Sequence, residues 1–144
     1  GLVTLGGVAT DVKSWKVSCD NKLDDGRLFL RENTRRKEPV ESDYREITAE
    51  MTLDFEDLTH YNRFKSATAA GTLAAVELQA TAATLIGAST YPRIKATIPT
   101  ARFDEVGVAV GGTDVLEQTV KCVGLFDGTN SPISVEYTTA DATP

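Results

Sequence analysis

Histidine is almost missing from this chain: among 144 residues His60 stands alone. A metal centre built on two imidazoles is therefore excluded, and His60 itself reads as a surface residue of a helix. Cysteine is scarce too. Cys19 and Cys122 lack C-x-x-C spacing, which argues against a zinc site, and nothing indicates the oxidising compartment a disulfide needs. Both fall in phase with apolar neighbours on strand-like stretches, so they read as free buried thiols. No apolar run approaches the roughly 20 residues of a membrane span, although 41% of the residues are hydrophobic. No basic stretch followed by an apolar segment opens the chain, so no signal peptide is visible. It opens on Gly1, which suits a processed product or a piece of a longer polypeptide.

The catalogue of catalytic motifs is equally bare. There is no G-x-S-x-G, no P-loop and no H-E-x-x-H. Gly107, Gly111 and Gly112 do not follow the dinucleotide fingerprint and do not open a helix. Asp54, Glu56 and Asp57 lack the spacing and the glycine of an EF-hand and read instead as helix-capping charge. Asp24-Asp25-Gly26 reads as a turn. Two acids remote in sequence remain open as a glycosidase pair, with nothing specific to support them. The expectation is a chain that is not an enzyme and binds no cofactor or metal. Its net charge of −6 argues against a surface that clamps phosphate backbones.

What the chain does have is pattern. From Ile47 to Phe55 the residues alternate without a break. Ile47, Ala49, Met51, Leu53 and Phe55 share one side; Glu46, Glu50 and Asp54 share the other with threonines. Such alternation marks a strand with one buried face. The period then changes: Leu58, Tyr61 and Phe64 follow at a spacing of three, which predicts a short helix packed by one edge, stopped near Gly71. Further alternating stretches run over 2–5, 12–19, 73–80, 91–99, 114–126 and 133–137. Gly6-Gly7 signals a hairpin turn, and Pro92 and Pro99 bracket what reads as an edge strand. The total is about seven strands and one helix, a mainly β protein. The expected architecture is an antiparallel β-sandwich or partly closed β-barrel with one short flanking α-helix. It forms a single domain over 1–138 with a frayed tail at 139–144. The predicted core is Trp15, Val17, Ile47, Met51, Leu53, Phe55, Leu58, Phe64, Val76, Leu78, Ile94, Ile98, Leu116 and Val120.

One segment breaks the pattern. Residues 27–44 carry Arg27, Arg31, Arg35, Arg36 and Lys37 against Glu32, Glu38, Glu41 and Asp43, with few large apolar side chains. A loop of that length inside a compact domain usually has a job or is disordered. Its mixed signs favour salt bridges to another protein surface over nucleic acid. It is expected to order only against a neighbouring subunit, because it buries too little to offset its own ordering entropy.

The segments V-T-L-G-G-V-A-T-D-V-K-S-W-K-V-S-C-D-N-K-L-D, R-E-I-T-A-E-M-T-L-D-F-E-D-L-T-H-Y-N-R-F, Y-P-R-I-K-A-T-I-P-T-A-R-F and V-L-E-Q-T-V-K-C-V-G-L-F-D-G, taken together, resemble the tail tube (major tail) proteins of long flexible-tailed bacteriophages. The resemblance runs from about Leu2 to Gly128 and is similar to the C-terminal half of the two-part members. It implies a structural subunit that associates with itself as stacked hexameric rings and with other phage tail proteins. It also implies a tail component of the virion, assembled in the host cytoplasm, through which DNA passes without specific binding, and no membrane binding by this chain. The loop residues Arg27, Arg31, Arg35, Arg36, Lys37, Glu38, Glu41 and Asp43 are then the inter-subunit loop. Glu46, Glu50 and Asp54 are the candidate face toward the lumen. The alternative is a carbohydrate- or receptor-binding β-sandwich module on a virion. It would need clustered exposed aromatics, whereas the aromatics here read as lying mostly on apolar faces.

Overall fold

The structure is a computed structural model and describes residues 1–24, 26, 39–65, 73–86, 90–109 and 116–139. In chain order the elements are β1 (Leu2–Leu5), β2 (Val8–Thr10), β3 (Val12–Asp20), β4 (Leu23–Asp24), β5 (Val40–Glu41), β6 (Glu46–Asp54), α1 (Thr59–Lys65), β7 (Ala74–Thr81), β8 (Arg93–Ala109), β9 (Glu117–Gly124) and β10 (Ser134–Thr138). All pairings among the strands are antiparallel. The main sheet runs β2-β1-β7-β8-β9-β6-β3, with β10 also on β8, while β4 and β5 form a separate ribbon. The order has two ends, β2 and β3, so the fold is sandwich-like and not a closed barrel.

Gly6-Gly7 is the turn its sequence announces. Both glycines take positive φ, 64° and 81°, which joins β1 to β2 with a backbone twist that suits a hairpin.

β8 is the organising strand and differs most from its expected form. Pro99 does not end it; the strand continues for 17 residues. The proline is tolerated because its missing N–H falls where ladders change hands. β10 covers one edge of β8 as far as Thr97, and β9 takes over that edge from Ala101. On the other edge the β7 register shifts between Val76 and Ala74, opposite the same place. The first half of β8 thus belongs with β7, β1 and β10, the second with β9, β6 and β3. The apolar faces of these halves close on each other. Val3, Leu5, Val76, Leu78 and Ile98 come from one side. Ile47, Ala49, Met51, Leu53, Phe103, Val120 and Cys122 come from the other. Gly124 marks a close approach: a Cβ there would stand 3.1 Å from Ile98 and 3.3 Å from Ile47.

The predicted core holds at Ile47, Met51, Leu53, Val76, Leu78, Ile98 and Val120, all buried. Trp15, Val17, Phe55 and Leu116 are half-buried instead. Trp15 and Val17 lie on β3, an edge strand with β6 as its one ladder partner, so cover thins along it. At its far end Cys19 is exposed, against the expectation of a buried thiol, while Cys122 is buried and free. Burial pushes the Cys122 thiol up to about 11. Leu58, Phe64 and Ile94 are exposed. Ile94 sits at the N-terminal end of β8, opposite Tyr137 of the exposed strand β10.

Candidate functional site

The outward face of β6 is the first place to look. Glu46, Glu50 and Asp54 are exposed, as their alternation requires. They do not stand as bare negative charge. Lys22 bridges Glu46 at 2.9 Å and Asp20 at 2.9 Å. Lys13 sits at the β3 bulge between Val12 and Ser14 and bridges Asp54 at 2.7 Å and Glu117 at 2.8 Å. These two carboxylates hold the Lys13 ammonium up at about 12. Glu50 lies in register with Lys16 on β3 and Lys121 on β9. The face is therefore a lattice of alternating sign, a feature visible only once the strands flanking β6 are known.

Of the loop residues singled out from sequence, Glu41 and Asp43 are described. Glu41 forms an ion pair with Arg45, and the Asp43 carboxylate accepts the Tyr44 N–H at 2.7 Å. Arg27, Arg31, Arg35, Arg36, Lys37 and Glu38 lie outside the described residues. Tyr44 itself is 92% exposed, and Phe126 and Tyr137 are also exposed. That corrects the reading of the aromatics as mostly turned inward.

α1 is turned the opposite way from its apolar spacing. Asp57 caps it, accepting the Thr59 N–H at 2.7 Å, as the acidic cluster predicts. Yet Leu58, Tyr61 and Phe64 are exposed, Leu58 at 55%. The half-buried positions are His60 and Arg63. Arg63 Nη2 donates to the Leu5 carbonyl at 3.3 Å, and its guanidinium stands 5.7 Å over the Phe103 ring. His60 is thus half-buried and not fully exposed as its sequence reading had it. Burial first, and then Arg63, hold its imidazole below the ordinary value, with Asp57 pulling weakly the other way.

Under α1, between the β1–β2 hairpin and the start of β3, lies a cavity of about 610 Å³. Its apolar walls include Val3, Leu5, Val12, Trp15 and Leu53, and Asp11, Asp54, Glu56 and Asp57 also line it. Gln118 reaches it from β9, on the core face beside Leu53. It is 0% exposed, and among the described residues neither end of its amide has a partner; His60 Nδ1 and Arg63 Nη1 are likewise buried without partners there. All three residues line this one cavity. Sequence reading passed over Gln118. The signal was present, a glutamine in phase with Leu116, Val120 and Cys122, on the face that should be apolar.

The described residues form an antiparallel two-layer sheet with one capping helix, and their surface carries charge pairs and uncovered apolar side chains. The profile of the phage tail tube protein family matches residues 1–124, and the chain belongs to that family. Its members are structural proteins of a phage tail. Among solved structures the chain is similar to the tube-terminating cap of the anti-feeding prophage. That likeness has a TM-score of 0.61 over 95% of this chain and 87% of the cap, at 8% identity, a likeness of fold. Among curated protein sequences none is similar to the chain.

Proposed function

We propose that this protein is a wall subunit of a phage tail tube, assembling as hexameric rings that stack into the conduit for genome delivery. The observation that carries the reading is the family match over residues 1–124. Large side chains left uncovered support it: Leu58 just before α1, Tyr61 and Phe64 on it, with Tyr44, Phe126 and Tyr137 elsewhere. The Tyr61 and Phe64 rings stand 6.4 Å apart, and adjoining exposed apolar side chains offer a surface for association. Segment 27–44 is the natural bridge to a neighbouring subunit.

The outward face of β6 supplies a wall for the lumen. In a ring, Glu46, Glu50 and Asp54 repeat around the axis, offset by Lys13, Lys16, Lys22 and Lys121. Such a wall presents no continuous positive stripe, so DNA has nothing on which to release its counterions and does not stick.

Electron microscopy of the purified chain tests the reading. Rings or tubes support it; a monodisperse monomer at high concentration counts against it. The triple substitution Glu46→Lys, Glu50→Lys and Asp54→Lys tests the wall. Because exposed ion pairs contribute only about 0–1 kcal/mol each, the subunit should still fold. Its tubes should retain DNA in a salt-dependent way. A ring that carries these carboxylates on its outer wall overturns that assignment.

A further inference from the structure

The cavity under α1 sorts its lining by depth. Asp11, Glu56 and Asp57 are exposed and stand at its mouth, while Gln118 and Leu53 are buried and form its floor. The acids at the mouth are not equally engaged. Asp57 caps α1, and Asp54 beside them is held by Lys13. Asp11 and Glu56 have no ion-pair partner among the described residues. Deeper in, both ends of the Gln118 amide, His60 Nδ1 and Arg63 Nη1 lack partners there. The Arg63 guanidinium also lacks a carboxylate among the described residues; it touches the Leu5 carbonyl and the Phe103 ring.

Buried polar groups left this way are rare and costly, and an apolar residue at position 118 would avoid the cost. A fully buried glutamine aimed into a cavity of about 610 Å³ is explained if a molecule enters and completes its hydrogen bonds. Val3, Leu5, Val12 and Leu53 supply apolar walls. Apolar walls with a few converging polar groups suit a small organic molecule.

The charges decide its kind. A simple cation is drawn to the mouth and repelled by Arg63 deeper in. A simple anion suits Arg63 and is repelled by Asp11 and Glu56 on the way. A molecule with a carboxylate at one end and an ammonium at the other satisfies both. Between those ends the Gln118 amide matches a peptide group, donor to its carbonyl and acceptor to its N–H.

We propose that the cavity under α1 binds a short peptide with free ends, about two or three residues long. Its carboxylate lies toward Arg63, its ammonium toward Asp11 and Glu56, and its peptide group on Gln118. The site belongs to one subunit, so it stands or falls separately from the ring reading.

Trp15 is the single tryptophan of the chain and lies half-buried in the cavity wall, so its fluorescence reports occupancy. The probe is L-leucyl-L-leucine, set against its N-acetyl form, which lacks the ammonium, and its C-terminal amide, which lacks the carboxylate. The free dipeptide is expected to shift Trp15 emission saturably. It should bind about tenfold or more tightly than either blocked form, each of which loses one charge-assisted contact. Equal binding by either blocked form overturns the zwitterion, and no saturable binding by any of the three overturns the site. Gln118→Leu is expected to melt at the same or a higher temperature than the wild type, yet to bind the free dipeptide about tenfold more weakly. Wild-type binding by that variant overturns the role of Gln118. Asp11→Asn with Glu56→Gln changes two exposed side chains and leaves the floor intact. It should weaken the free dipeptide to the level of the N-acetyl form and leave the N-acetyl form unchanged. An equal loss for both forms overturns the placement of the ammonium at the mouth.

Discussion

β6 and α1 are neighbours in the chain, and they obey their sequences in opposite ways. On β6 every position from Glu46 to Asp54 faces the side its alternation assigns. At α1 the apolar stripe, Leu58 just before the helix and Tyr61 and Phe64 on it, faces out, and the polar pair His60 and Arg63 faces in. The difference lies in how each element is held. β6 is hydrogen-bonded along both edges, to β3 and to β9, and a slip of one residue would turn its whole apolar set to solvent. α1 has seven residues and is held at the cap Asp57 and through Arg63, which grips the Leu5 carbonyl and covers Phe103. Two turns of helix gain little from packing alone, so a few polar tethers decide its rotation. Its apolar stripe is then left for whatever lies outside the subunit.

The contrast can be broken by substitution. The largest effect is expected at Leu53, 4% exposed in the centre of the core. Leu53→Ala should lower unfolding free energy by about 2–5 kcal/mol in denaturant titration. Next comes Gly6→Ala. A non-glycine residue at positive φ costs roughly 1–2 kcal/mol, and the new methyl would meet Arg63 Nη2 at 2.8 Å. The Arg63 tether should loosen, seen as faster amide exchange in α1 than in β6. Leu58→Ser should change subunit stability by no more than about 0.5 kcal/mol while weakening self-association by sedimentation. A loss of more than about 2 kcal/mol there would mean that the stripe is a core after all.

The smallest effect is expected from pH. The folded state holds the His60 pKa down, so the unfolded chain takes up the proton first as pH falls. The stability this contributes is full above the ordinary histidine value, about 6.5, and is lost as pH drops through the lower folded value. Lowering pH from about 7.5 to about 5.5 should therefore reduce the melting temperature of the wild type more than that of His60→Gln. Equal slopes would show that His60 is open to solvent.

Much of the fold was legible because it is written locally. The Gly6-Gly7 turn, the faces of β6, β7 and β9, and the Asp57 cap need only neighbours within a few residues. What stayed hidden depends on distant partners. Pro99 reads as a stop until β10 and β9 are known to meet beside it. Glu46, Glu50 and Asp54 read as acidic until Lys13, Lys22 and Lys121 arrive across the sheet. The inward turn of His60 and Arg63 depends on Leu5 and Phe103, residues remote from α1 in sequence.

β8 carries one more consequence, a mechanical one. Its backbone is shared by both layers, so a pull that separates them does not run along a seam of side chains. Force entering through β10 or β7 passes into β8 and leaves through β9, loading the ladders in shear, where many hydrogen bonds must fail together. A subunit built on such a continuous beam resists being drawn apart lengthwise far better than it resists peeling from its edges. Pulled from residues 138 on β10 and 117 on β9, at opposite ends of β8, it should yield in one abrupt step; pulled apart at the facing residues 93 and 138, β10 should unzip one pair at a time.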